Sequence, residues 1–195
     1  MPRPNWFFGF PVDGAFLLTL PDLPPSFRCF HPEDAHMTLA FLGGCGEEAA
    51  LRALGALGVR LQSEPLPTLS VSLAEVVPMG SSRRHYTALS ALLGVGREQA
   101  SELIAAYRDM LTEAATGRRE KRPPKPHVTL ARPRGRATDA NRAAGLSWAA
   151  ALDLSHVHAV LDRVALYTWP EDRRERMFKI VAERRLSPEN HSGSQ

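Results

Sequence analysis

The chain has 195 residues, 44% hydrophobic and 23% charged, with 24 Lys and Arg set against 21 Asp and Glu. That is enough apolar residue for one packed domain spanning 1–195, and too ordinary a composition for a disordered or collagen-like chain. Two thiols, Cys29 and Cys45, exclude a dense disulfide scaffold and suit a reducing cytoplasm, and no apolar run approaches the ~18 residues of a membrane span.

In chain order, Trp6 to Val12 reads as an apolar strand, and Ala15 to Leu20 as a second short one after the Asp13-Gly14 turn. Prolines at 11, 21, 24 and 25 exclude a long helix between 13 and 25. Phe27 to Phe30 is a short strand that leads through His31-Pro32-Glu33-Asp34 into a strand from His36, stopped by Gly43-Gly44. Glu47 to Gln62 is a helix with Leu51, Leu54, Leu57 and Leu61 at helical spacing. Leu69, Val71 and Leu73 alternate with Ser70, Ser72 and Ala74 as a half-buried strand. A turn at Pro78 to Ser82 and a hairpin partner at Tyr86 to Leu93 follow.

Glu98 to Ala115 is the second clear helix, with Leu103, Ile104, Tyr107 and Leu111 on one side and Gly117 at its end. Arg118, Arg119, Lys121, Arg122 and Lys125 then crowd a proline-containing loop that runs directly into His127, a candidate for engaging a phosphate backbone. Arg83 and Arg84 are a weaker candidate of the same kind. Ala137 to Ala151 is helical or irregular. Leu154 to Ala159, Arg163 to Trp169 and Arg176 to Glu183 read as strands, the last two antiparallel, and the tail from Ser187 as frayed. Strands outnumber helices, so the fold class is α+β with antiparallel sheet.

One pattern occurs twice: His36-Met37-Thr38-Leu39-Ala40-Phe41 and His127-Val128-Thr129-Leu130-Ala131-Arg132. Two H-x-T-L segments arise by chance in about one such sequence in a thousand. Strand alternation puts His36, Thr38 and Ala40 on one face, opposite Met37, Leu39 and Phe41, and does the same for His127, Thr129 and Ala131. The histidines are 91 positions apart, so a shared task requires the fold to bring two strands together. His31, His85, His156, His158 and His191 carry no such context. His156 and His158 share a strand face, which alone is a weak metal signal.

Two H-x-[ST]-hydrophobic strands half a chain apart resemble the two-histidine phosphoesterase superfamily. The longer run Asp34 to Gly43, the opening Trp6-Phe7-Phe8-Gly9-Phe10 and the Arg132 of the second copy are similar to its RNA 2′,3′-cyclic phosphodiesterase (2′-5′ RNA ligase) branch. The opening departs from that branch, whose first strand runs into a helix. The resemblance implies two pseudo-symmetric lobes of antiparallel sheet with helices outside and a central groove lined by one motif strand from each. It implies His36 as general acid and His127 as general base, with Thr38 and Thr129 on the phosphate oxygens. Phe41 would stack on a base and Arg132 reach the phosphate, although both have the opposite strand parity to their histidine.

The chemistry suits the residues. Opening a 2′,3′-cyclic phosphate needs a water activated on one side of phosphorus and a proton for the leaving ribose oxygen on the other. An imidazole with a pKa near 6.5 serves either task, and unperturbed values predict an optimum between about pH 6 and 8. The two histidines fall short of a zinc ligand set, so no metal and no cofactor are expected. The expected partner is RNA with cyclic-phosphate ends, such as tRNA fragments, bound by a cytoplasmic monomer with no membrane association. Alternatives are an RNA-binding module without turnover, or a phosphodiesterase of small cyclic nucleotides.

Overall fold

The computed structural model describes residues 3–82 and 85–188. Arg83, Arg84, His191 and most of the tail lie outside those residues.

Among the described residues, nine antiparallel strands form one sheet, joined by three α-helices. In chain order they are β1 (Trp6–Pro11), β2 (Phe27–Cys29), β3 (His36–Gly43), α1 (Glu47–Ser63), β4 (Leu69–Gly80), β5 (Tyr86–Leu93), α2 (Arg97–Thr116), β6 (His127–Pro133), α3 (Asp139–Ala150), β7 (His158–Leu161), β8 (Arg163–Thr168) and β9 (Lys179–Arg185). The strand order is β7-β4-β5-β6-β3-β1-β8-β9, with β2 on the free part of β6. It is the α+β class expected, and the two motif strands lie side by side at the centre.

The sheet is pseudo-symmetric about that centre. β3 is flanked by β1, then β8, while β6 is flanked by β5, then β4. The halves meet at one ladder pair, Met37 with Val128, both fully buried. Both core residues follow a motif histidine, so each half contributes its histidine at the seam. Against the sheet, α1 and α2 pack together, with α2 along β3, and α3 covers β4 and β5. Phe8, Phe10, Met37, Leu57, Leu89, Leu111 and Leu130 are among the most buried side chains of a single hydrophobic core.

Several local expectations change. Ala15–Thr19 is a 3₁₀ helix rather than a strand, because the Asp13 carboxylate accepts the Ala15 N–H at 3.0 Å and Leu17 N–H closes on the Gly14 carbonyl. β4 runs on through Pro78 to Gly80, where a turn was expected. Its partner β7 pairs only with Leu69 to Ser72, so Pro78 stands on an unpaired edge where its missing N–H costs nothing. β7 starts at His158, not Leu154, because the Asp153 carboxylate holds Ser155 in a turn. α1 buries Ala50, Ala53, Leu54 and Leu57 but leaves Leu51 exposed. α3 is a regular helix, closed by a Thr138–Asn141 capping box. Ser187 is tied down by backbone hydrogen bonds with Leu66 and Thr68, so the tail is anchored at least that far.

Candidate active site

At the seam, the Met37–Val128 register extended one residue either way sets His36 beside Thr129 and Thr38 beside His127. The four polar residues singled out by the sequence therefore come together in one patch.

The two imidazoles are held alike. His36 Nδ1 lies 2.6 Å from the carbonyl oxygen of Asp34, and His127 Nδ1 lies 2.6 Å from that of Lys125. A carbonyl only accepts, so Nδ1–H donates in both rings. That fixes ring and tautomer together and leaves each Nε2 to accept or release a proton.

Their surroundings differ. His36 is buried in a cage of rings: Phe7 at 4.7 Å between centroids, Tyr167 at 5.2 Å and Phe178 edge-on at 5.4 Å. Burial pushes its pKa down to about 4, against the Asp34 carbonyl, which favours the charged form; His127 and Arg132 lower it further. His127 is half-buried, and desolvation lowers its pKa as well, helped by the charges of Lys125 and Arg132. Thr129 exchanges a hydrogen bond with Ser90 on β5 at 3.2 Å. The matching neighbour of Thr38 is Gly9 on β1.

The parity of Phe41 and Arg132 is corrected by a feature that alternation cannot foresee. On β1, Phe7 pairs with Phe41, Phe8 with Ala40, but Gly9 with Thr38, so β3 carries one extra residue, Leu39. On β5, Leu89 pairs with Ala131 but Ser90 with Thr129, so β6 carries one extra residue, Leu130. Each is a β-bulge, which flips the parity of everything after it. Phe41 thus shares the face of Thr38 and His36, and is 57% exposed. Arg132 likewise falls on the face of Thr129 and His127, an exposed residue with its guanidinium 5.2 Å above the Phe30 ring.

A groove of about 920 Å³ runs from this patch, bordered by Thr38, Phe41 and His127, by Met79 and Gly80 of β4, by Arg108 of α2, and by Arg122 to Lys125. The basic loop therefore does face the groove. Its charge is partly spent within the protein, since Arg122 pairs with Glu120 at 2.6 Å and Arg119 with Glu113 at 2.9 Å, both on the surface. Arg108 ties the loop down through the carbonyls of Glu120 and Arg122.

Asp34 is the residue the sequence left without a role. Fully buried, its carboxylate accepts N–H bonds from Met177 at 2.7 Å and Phe178 at 3.0 Å, while its carbonyl holds His36. It links the β8–β9 connection to the imidazole. An Asp two residues before the motif histidine is the one signal the sequence carries; Tyr167 and Phe178, more than 130 residues from His36, had none. Among the described residues, no group of three or more His, Cys, Asp or Glu is arranged to hold a metal ion, and His156 stands in a turn outside β7.

No protein-family model matches the chain, and no curated protein does. Solved structures do match. Escherichia coli LigT complexed with 3′-AMP superposes with a TM-score of 0.65 at 18% identity, covering 96% of this chain and 99% of that one. TT0787 of Thermus thermophilus gives 0.66 at 20% identity, covering 95% and 99%. Usb1 of Kluyveromyces marxianus gives 0.53 at 10% identity, covering 91% and 96%. The architecture, a curled antiparallel sheet with three helices among the described residues, is the fold of LigT. No helix among the described residues is long and apolar enough to cross a membrane.

Proposed function

We propose that this chain is a two-histidine phosphoesterase that hydrolyses RNA 2′,3′-cyclic phosphate ends to 2′-phosphomonoesters, and that slowly joins the same ends in a 2′-5′ linkage when a 5′-hydroxyl replaces water as the nucleophile. One observation carries the reading: His36 and His127 meet at the seam with Nδ1 identically tethered and Nε2 free. The solved relatives support it by their contents, since LigT has been seen with 3′-AMP and with phosphate.

In the forward reaction His127 Nε2 takes a proton from water as the water oxygen bonds to phosphorus. The P–O3′ bond breaks and His36 delivers a proton to O3′, leaving the phosphate on O2′. Thr38 and Thr129 hydroxyls donate to the non-bridging oxygens, whose charge grows in the transition state. Phe41 offers a face for a base, and Arg132 a cation near both imidazoles. No step requires a metal or a nucleotide cofactor, because the strained ring carries the activation for ligation.

The test is incubation of purified protein, with EDTA, with a cyclic-phosphate-ended RNA and with 2′,3′-cyclic mononucleotides, identifying the product isomer. Release of the 2′-phosphate is the expected result. Tight oligonucleotide binding without turnover would return the chain to an RNA-binding module, and turnover of mononucleotides alone to a small-molecule phosphodiesterase.

A further inference from the structure

A second cationic site lies beside the histidines, away from the basic loop. Arg28 on β2 is the ladder partner of Arg132 on β6, so two arginines stand side by side across the strands. Arg28 reaches over to the β8–β9 connection and donates to three successive carbonyls, of Arg173, Arg174 and Glu175, at 3.2, 2.9 and 3.1 Å. That clamp brings Arg173 within electrostatic reach of both Arg28 and Arg132. Three guanidiniums have been gathered against their mutual repulsion.

Neighbouring arginines find carboxylates: Arg174 pairs with Asp172, and Arg176 with Glu33 and Asp34. Among the described residues, Arg28, Arg132 and Arg173 have no carboxylate within 4.0 Å, and Asp34 acts on Arg173 only from beyond that distance. Arg173 Cζ sits over the Trp169 ring, 4.1 Å from its centroid, and Arg132 Cζ over Phe30 at 5.2 Å. A cation held over a ring face makes no hydrogen bond to that ring, so its N–H donors stay available to an anion. The buried Nε of Arg173 has no hydrogen-bond partner.

We propose that Arg28, Arg132 and Arg173 form a second phosphate subsite, which holds the phosphate on the 5′ side of the nucleotide whose cyclic phosphate sits between the histidines. The inference rests on the reaction proposed above and narrows its substrate. In an RNA end the nearest other phosphate is the one on the terminal nucleotide's O5′, so a second anion site next to the first selects that group. It also explains the Asp34 link, because one connection then carries both Arg173 and the groups around His36.

The test uses three substrates: a nucleoside 2′,3′-cyclic phosphate without a 5′-phosphate, the same compound 5′-phosphorylated, and a dinucleotide ending in the cyclic phosphate. Both substrates bearing a 5′ phosphate should exceed the first in kcat/KM by about tenfold, the worth of one charge-assisted contact. Arg173→Gln should bring that ratio close to one, and Arg173→Glu should invert it. Thermal unfolding of both variants checks that the fold is retained. A preference for the dinucleotide alone would assign selectivity to the second base and overturn the subsite. So would a ratio near one in the unaltered protein, or a ratio unmoved in both variants. Calorimetry with a nucleoside 2′-phosphate and a 2′,5′-bisphosphate separates this from the reaction itself. An Arg173-dependent preference for the bisphosphate in a protein that turns over nothing supports the subsite and removes the hydrolase reading.

Discussion

Leu39 and Leu130 occupy the same place in their strands: each is the residue of its H-x-T-L segment that the neighbouring strand skips. Duplication of the bulge explains why the motif's influence extends beyond the threonine. It returns the residue five after the histidine to the histidine's own face, which sets Phe41 on the border of the groove and Arg132 over the Phe30 ring.

Phe41 is accordingly an exposed aromatic on the border of the groove. Its replacement should cost little stability, within about 0.5 kcal/mol, because the ring is already in water. Phe41→Ala should raise KM for a purine-ended cyclic phosphate several-fold at nearly constant kcat, as loss of base stacking does. An unchanged KM would leave Phe41 as an incidental exposed aromatic.

The two histidines should be equal in catalysis and unequal in folding. His36→Ala and His127→Ala are each expected to lower the rate by at least ~100-fold. Only the first empties a space enclosed by Phe7, Tyr167 and Phe178, so it should lose on the order of 2 kcal/mol in urea unfolding while the second loses little. Near-normal turnover by either variant would end the paired-histidine mechanism.

The sequence made the paired histidines of the candidate site legible because the pattern repeats where the structure repeats: an imidazole and a hydroxyl two residues apart define a strand face locally. The helices from 47 and 98 were legible for a similar reason, their apolar stripes being local. What escaped was set by distant partners. The extra residue at Leu39 is defined only against β1, and the cage around His36 comes from Phe7, Tyr167 and Phe178 on other parts of the chain. The basic loop misled in part, because the glutamates that pair with Arg119 and Arg122 looked like ordinary surface charge.

That loop now gives a sharper salt experiment. Arg118, Lys121 and Lys125 are exposed and have no ion-pair partner among the described residues, whereas Arg119 and Arg122 are engaged. Replacing the first three by Ala should flatten the dependence of oligonucleotide affinity on log salt by more than replacing Arg119 and Arg122, since each free cation releases its own counterion from the backbone. Equal slopes in both variants and the parent would make the loop a solvated rim.

Gly9 is the small residue that the crowded half of the site demands. A Cβ there would stand 3.0 Å from the Met37 carbonyl oxygen and 3.4 Å from His36 Cδ2. Ser90, its counterpart on β5, has room for a side chain and uses it on Thr129. Gly9→Ala should therefore push on the seam and lower kcat by roughly tenfold, the scale of small misplacements of a catalytic group, with Ser90→Ala milder. If Gly9→Ala retained full activity, His36 would have slack that its aromatic cage does not suggest.

Burial of both imidazoles moves the expected pH behaviour away from the range of about 6 to 8 that unperturbed histidines imply. A bell-shaped kcat/KM reports the free protein, and its centre lies midway between the two pKa values whichever histidine is acid. With His36 near 4 and His127 depressed from its ordinary 6.5, the optimum should fall below about pH 6, while kcat, measured with a phosphate anion bound that favours the charged imidazoles, should peak at higher pH. Stability follows the same shift. The unfolded chain binds a proton on His36 near pH 6.5 and the folded one only near 4, so the contribution is fully present above 6.5 and is lost as pH falls toward 4, on the order of 3 kcal/mol. Urea unfolding at pH 7.5 and 4.5 should show that loss in the parent and a smaller one in His36→Gln, which cannot titrate. A kcat/KM maximum at pH 7 or above, with the parent and His36→Gln losing equal stability in acid, would mean that His36 keeps an ordinary pKa and that its cage admits water.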